Sequence, residues 1–262
     1  PGAENAFAGV ATAFADSVPI FLIPGSNPRD RAGVHPTFSP STTYSSVTKW
    51  SAKVSVIESI PEMMRRSFSQ LRMGRPGPVL LEVPSDILRG ELPNGMNVNY
   101  SPVSKFRASG DPSDVKIAAK MLLGAKRPVI QAGQGILYAD ASDKLLELAE
   151  ITRVPVMTTM AGKSSFPENH ELSLGTRSST TTDMVVDFLD KSDLIFGIGC
   201  SFTRIHYGMD EFDKKTLVHV TNSSDDINKD YSPDHAVIGD AKLVLDQLIT
   251  EVKSLLGSNK VN

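Results

Sequence analysis

The chain has 262 residues, 40% of them hydrophobic and 22% charged, and a formal net charge of −3. That composition fits one large soluble globular domain or two small ones; it shows no basic excess for nucleic acid and no apolar run long enough for a membrane span. A single cysteine, Cys200, excludes an internal disulfide framework and fits a reducing, cytoplasmic compartment.

The sequence starts at Pro1-Gly2-Ala3 directly before a helical pattern, with no leader, so the expectation is an internal piece of a longer polypeptide. Residues 3–17 place Ala3, Ala6, Phe7, Val10, Ala11, Phe14 and Ala15 on one broad face and predict a small-residue helix. Residues 18–25 predict a buried strand closed by a turn at Pro24-Gly25. Residues 26–48 are polar, with Pro28, Pro36 and Pro40 and the cluster Arg29-Asp30-Arg31, an irregular segment of the kind that carries function. A second helix is expected over 56–72, with Ile57, Ile60, Met64 and Phe68 inward and Arg65, Arg66 and Arg72 outward. Gly74-Arg75-Pro76-Gly77-Pro78 breaks the chain before the strand Val79-Leu80-Leu81-Glu82-Val83-Pro84. Prolines, asparagines and serines then accumulate, and residues 91–112 read as a linker between a first domain, 1–90, and a second, 113–258.

The second domain is organised by residues 126–135. There Lys126-Arg127-Pro128 lead into the apolar Val129-Ile130, and Gly133-Gln134-Gly135 closes the run. This is the pattern of a buried parallel strand whose turn opens a helix, with Leu145, Leu146, Leu148 and Ala149 on the helical face and Ser142 as its cap. A helix over 113–123, capped by Asp111 or Ser113, precedes it. Strands are expected at 154–158, 194–199, 216–220 and 236–238, separated by helices such as 182–191 and 241–256. Alternating β and α predicts a doubly wound, Rossmann-like parallel sheet, preceded by part of another α/β domain.

Ligands of such sheets lie at the carboxyl ends of the strands. Three loops are expected there, carrying Gly133 and Gly135, Thr158 and Lys163, and Ser201 and Arg204. They are rich in donors and poor in acids, which suits a phosphorylated or nucleotide ligand. The plain alternative, that every such sheet needs loops of this kind, stands beside it. His35, His170, His206, His219 and His235 show no metal-ligand spacing, so no metal site is expected. His219, inside an apolar strand, reads as a core residue and Cys200 as an inert one. No nucleophile elbow or Walker loop occurs, and no catalytic set is assigned within the chain.

Pro1-Gly2-Ala3-Glu4-Asn5-Ala6, followed by Ala15-Asp16-Ser17-Val18-Pro19-Ile20, resembles the pyrimidine-binding domain of thiamine-diphosphate enzymes of the acetolactate synthase, pyruvate oxidase and benzoylformate decarboxylase superfamily. The likeness continues at Gly74-Arg75-Pro76-Gly77-Pro78-Val79 and Glu82-Val83-Pro84-Ser85-Asp86. The remainder is similar to the family's middle domain, through Arg127-Pro128-Val129, Ala132-Gly133, Pro155-Val156-Met157-Thr158-Thr159, Gly162-Lys163 and Phe166-Pro167-Glu168.

The resemblance implies an enzyme that uses thiamine diphosphate and Mg²⁺ to make or break C–C bonds beside a carbonyl, a lyase or transferase acting on a 2-oxo acid or similar acyl donor. In such enzymes a glutamate activates the cofactor; by the resemblance it would precede Pro1, and the domain that clamps pyrophosphate and Mg²⁺ would follow Asn262. The chain alone is then expected to be inactive. Pro1, Gly2 and Asn5 match the motif that approaches the aminopyrimidine. Residues 27–49 match the substrate entrance, where Phe38 is shared but Ser39-Pro40 replace the Gln-Glu of acetolactate synthases; His35 and Lys49 are candidates for an anionic substrate. Some relatives bind FAD or ADP across the three strand-end loops. Here Ser201-Phe202-Thr203-Arg204 and Asn222-Ser223-Ser224 depart from the FAD pattern and speak against a flavin. A homodimer or homotetramer is implied. The competing reading is a nucleotide-binding or structural module without its own chemistry.

Overall fold

The structure is a computed structural model and describes every residue except 97, 103, 179, 205–211, 213 and 259–262. The chain divides into two compact units, Pro1–Phe106 and Arg107–Asn262. No helix among the described residues is long and apolar enough to cross a membrane.

The first unit is built on one strand. Its elements are helices α1 (Gly2–Asn5) and α2 (Phe7–Ala15), strands β1 (Phe21–Leu22) and β2 (Gly25–Ser26), helix α3 (Pro40–Thr43), strand β3 (Trp50–Lys53), helix α4 (Ile60–Arg72), strand β4 (Val79–Pro84) and helix α5 (Ser85–Leu88). All six residues of β4 are buried, as befits the central strand of a parallel sheet, covered on both faces. β1 pairs with it at Phe21–Val79, and β2 keeps the same register at Gly25–Val83, so the two are one strand interrupted at Pro24. β3 lies on the opposite side of β4.

Three expectations are corrected in this unit. The helix predicted over 3–17 turns at Ala6 into two pieces, and only Val10 of its broad face is fully buried, while Phe14 is 43% exposed. The buried strand expected at 18–25 is a half-covered edge, with Ile23 exposed. β3 was not anticipated, although Trp50-Ser51-Ala52-Lys53-Val54 alternates apolar and polar residues and Trp50, Ala52 and Val54 pack into one cluster. The helix expected at 56–72 opens with a 3₁₀ turn, Ile57–Ser59, before α4.

The second unit runs α6 (Pro112–Gly124), β5 (Pro128–Ala132), α7 (Gln134–Ala139), α8 (Ser142–Thr152), β6 (Val156–Thr159), β7 (Ser173–Arg177), α9 (Asp183–Lys191), β8 (Leu194–Ile198), β9 (Thr216–Thr221), β10 (His235–Ile238) and α10 (Ala241–Ser258). The six strands are all parallel, in the order β7-β6-β5-β8-β9-β10. Numbered along this unit that is 3-2-1-4-5-6, the doubly wound order in which the winding reverses between the first and fourth strands. Side chains alternate across the sheet. Ile130, Ala132, Phe196 and Val218 pack with α6, α8 and α10 on one face, while Val129, Ile195 and Leu217 meet Val185 and Leu189 of α9 on the other.

The Asp111 carboxylate caps α6 by accepting the Ser113 N–H at 2.8 Å. Ser142 does not cap α8; Ala141 holds the N-cap position and makes no side-chain cap bond. Part of the stretch read as a linker is also packed. Tyr100 lies 5.7 Å from Phe68 within the first unit. In the second, the Gln247 amide bonds both backbone groups of Gly110 at 3.0 Å, and the Asp240 N–H donates to Ala108 O at 2.8 Å. Residues 107–112 therefore belong to the second unit. The signal was absent because the contacts are made by backbone rather than by periodic side chains.

Candidate functional site

A cavity of about 640 Å³ opens in the first unit. It is lined by Pro1, Gly2, Ala3 and Glu4, the interrupted strand from Leu22 to Asn27, and Phe38, Tyr44 and Leu80. The β1/β2 strand that lines it is only partly buried. Tyr44, wholly buried, fixes one wall: its hydroxyl donates to Ala3 O, and its ring meets Phe7 edge-on at 5.2 Å. A flat aromatic ring needs apolar walls with a few backbone donors and acceptors at its rim. Leu22, Phe38 and Leu80 supply the apolar lining. The Pro1, Gly2, Ala3 and Pro24 carbonyls already accept from Asn5, Ala6, Tyr44 and Val83, so the polar rim is the backbone N–H groups that open α1, and these residues fit an aminopyrimidine. Pro1, Gly2 and Phe38 are brought together in this wall. Asn5 is exposed and does not line it; Glu4 does.

Behind the wall lies a group that sequence reasoning passed over. Glu82, in the middle of β4, is 0% exposed. It accepts from the Ser41 N–H at 2.8 Å and the Ser41 hydroxyl at 2.6 Å, with the Ser39 hydroxyl at 3.4 Å. The Lys53 ammonium of β3 stands 3.0 Å away. Burial works against its charge, but the Ser41 hydrogen bonds, joined by Lys53, outweigh that and hold the carboxyl below the usual carboxylate range. Glu82 thus ties α3, and with it Phe38 and Tyr44, to the central strand. Ser39-Pro40, the pair that departs from acetolactate synthases, build this anchor: Pro40 opens α3 and Ser39 faces Glu82. The available signal was a lone acid inside the apolar run Val79-Leu80-Leu81-Glu82-Val83.

Two proposed substrate residues fall elsewhere. The Lys49 ammonium donates to Gln70 O at 2.7 Å and to Met73 O, capping the carbonyl end of α4, and burial lowers its pKa. It serves the helix and is not directed at the cavity. His35 lies on the surface and is not among the cavity residues.

In the second unit the three strand-end loops do meet at the switch point, but against one another. The Gly133 N–H donates to Ile198 O at 2.9 Å and the Gly135 N–H to Gly199 O at 2.8 Å. A Cβ on Gly133 would stand 2.2 Å from Gly199 O, and one on Gly162 would stand 2.6 Å from Ala132 O. Glycine is needed here for close backbone approach, and the amides that could have faced a phosphate are engaged. The remaining candidates are paired as well. Thr158 meets the Thr176 hydroxyl at 3.0 Å, Lys163 pairs with Glu168, and the Ser201 and Thr203 hydroxyls are 2.7 Å apart. The Arg204 N–H donates to Asp230 at 2.8 Å, and its guanidinium lies 5.3 Å from the Tyr231 ring centre. The loop after β8 also folds back over the sheet: Phe202 rests on Gly197 and touches His219, with ring centres 4.7 Å apart. This geometry favours the packing role of these loops over the nucleotide one.

His219 is buried, with Nε2 2.9 Å from Cys200 O, and burial lowers its pKa so that it is neutral. Burial pushes the Cys200 thiol up to about 11, leaving it protonated and unreactive at neutral pH. Among the described residues no group of three or more His, Cys, Asp and Glu could hold a metal ion; His206 lies outside the described residues.

The family model for the central domain of thiamine pyrophosphate enzymes matches residues 115–248, which span the whole doubly wound sheet. The chain belongs to this family. It is 34% identical over 264 residues to the probable acetolactate synthase large subunit of Methanocaldococcus jannaschii, covering 97% of this chain and 44% of that protein. It is 32% identical over 256 residues to the glyoxylate carboligase of Escherichia coli O157:H7, covering 95% and 43%. The chain therefore spans less than half the length of these curated relatives. The fold matches that of benzoylformate decarboxylase from Polynucleobacter necessarius with a TM-score of 0.81 at 24% identity, over 95% of this chain and 47% of that one.

Proposed function

We propose that these 262 residues are part of a thiamine-diphosphate- and Mg²⁺-dependent enzyme that makes or breaks a C–C bond beside the carbonyl of a 2-oxo acid or similar acyl donor. The observation that carries the reading is the cavity of the first unit, where the segment matching the family's pyrimidine motif meets Phe38 of the entrance segment. Bound thiamine diphosphate supplies the electron sink for such chemistry. The chain's own residues do simpler work. Backbone N–H groups at the start of α1 offer polar contacts to the ring, Leu22, Phe38 and Leu80 exclude water from its face, and Glu82 with Tyr44 holds the wall in place. The activating glutamate and the metal clamp are assigned to polypeptide outside these residues, a reading supported by relatives more than twice as long. The second unit is assigned a structural role, supported by the engagement of its loop amides. Relatives named as synthase and as carboligase match almost equally, so the reading stops at the reaction class. Assembly as a homodimer or homotetramer is part of the proposal.

Calorimetric titration of the complete polypeptide tests it. Saturable binding of thiamine diphosphate that requires Mg²⁺, with no stoichiometric binding of ADP or FAD, is expected. Tight ADP or FAD binding without any for thiamine diphosphate would replace this reading by that of a nucleotide module.

A further inference from the structure

We propose that a second cavity, at the amino end of the sheet in the second unit, binds a small amphiphilic anion: an apolar body bearing a carboxylate or sulfonate. This cavity of about 610 Å³ lies where β5 and β6 begin and where α6, α8 and α9 end, at the opposite end of the strands from the switch-point loops. Its volume is that of a small-molecule site, within roughly 300–1,000 Å³. Its floor is carbon, from Leu122, Val129 and Val154, all buried, and Phe188 of α9 forms a wall while remaining 41% exposed.

The rim is cationic. Arg153 is neutralised by Glu171 at 2.6 Å and Lys191 by Asp187 at 2.5 Å. Lys126 and Arg127 are different: among the described residues no hydrogen bond or ion pair engages either side-chain cation. The nearby Asp193 carboxylate accepts instead from their backbone N–H groups, at 2.7 and 2.9 Å. Helix carboxyl ends carry partial negative charge, but at α9 the Lys215 ammonium already covers Leu189 O at 2.6 Å and Ser192 O at 3.1 Å. The Asp193 charge also acts on Lys126, and α6 and α8 end at the same rim, so among the described residues Arg127 is the exposed cation that no carboxylate faces, beside an apolar wall. An anion with an apolar body satisfies both at once, whereas an inorganic ion would leave Phe188 wet and a hydrocarbon would leave Arg127 unpaired.

The test is fluorescence titration of the full chain with 1-anilinonaphthalene-8-sulfonate, followed by displacement with octanoate. One saturable site is expected, displaced by octanoate. Its affinity should fall about tenfold in the Lys126→Gln/Arg127→Gln double variant, the loss of one charge-assisted contact, and about fivefold in Phe188→Ala. Lys126→Arg/Arg127→Lys, which keeps the charge, and Leu88→Ser, which removes an exposed apolar side chain of the first unit, should bind within about twofold of the parent. Circular dichroism checks that each variant is folded. Absence of saturable binding, failure of octanoate to displace the dye, or undiminished affinity in the folded double glutamine variant overturns the proposal. None of these outcomes touches thiamine diphosphate binding, so the two readings fail separately.

Discussion

At the scale of single residues, the Glu82 anchor bears most on the site. Its carboxyl is held below the usual range, so it contributes stability that is present above the unfolded carboxylate value, about 4.3, and is lost as pH falls through the lower folded value. Glu82→Gln leaves the half-buried Lys53 without its counter-charge and should cost about 3 kcal/mol at pH 7. The variant should also lack the part of the acid limb that Glu82 supplies. Trp50 is the chain's one tryptophan and sits in β3 beside this anchor, so its fluorescence reports urea unfolding of the first unit alone. A change below about 0.5 kcal/mol, the range of ordinary surface substitutions, would show that the anchor is dispensable. Residue chemistry was only partly legible. His219 read correctly as a core group because Val218 and Val220 flank it, and Cys200 because a lone cysteine at a strand end packs as a small apolar residue. Lys49 read as a substrate ligand because its true partners, the Gln70 and Met73 carbonyls, are created only when α4 ends beside it.

At the scale of elements, the second unit separates two kinds of local requirement. Asp111→Ala removes a helix cap and should cost about 1 kcal/mol. Gly133→Ala should cost more, about 3 kcal/mol, because the new methyl meets the backbone of Gly199 and Cys200 rather than a yielding side chain. Thermal melts followed by far-UV circular dichroism would rank the two, and a smaller loss at Gly133 would contradict the close-approach account. The central strands were legible because burial on both faces demands continuous apolar runs. β7 was not: Ser173–Arg177 is a polar edge strand containing Gly175 at positive φ, and only its pairing with β6 makes it a strand. The loops at the switch point were placed correctly by topology. The fate of their amides was not readable, since Gly133 and Gly135 find their acceptors on a strand some sixty residues later in sequence.

At the scale of the whole molecule, sequence pattern and family agree on the doubly wound sheet, and the 3-2-1-4-5-6 order makes it specific. The division of labour is the larger claim. By the proposed function, the first unit supplies a wall for the cofactor ring, the second is a self-packed sheet, and the groups that activate the cofactor and clamp its metal belong to neighbouring polypeptide. The amino-end cavity adds a candidate small-molecule site to the second unit without making it catalytic. The measurement that bears most directly on this claim is product formation from pyruvate, glyoxylate and benzoylformate with thiamine diphosphate and Mg²⁺, run in parallel on the complete polypeptide and on the 262 residues alone. Turnover of at least one 2-oxo acid by the former and none by the latter is the predicted result; sustained turnover by the 262 residues themselves would contradict it.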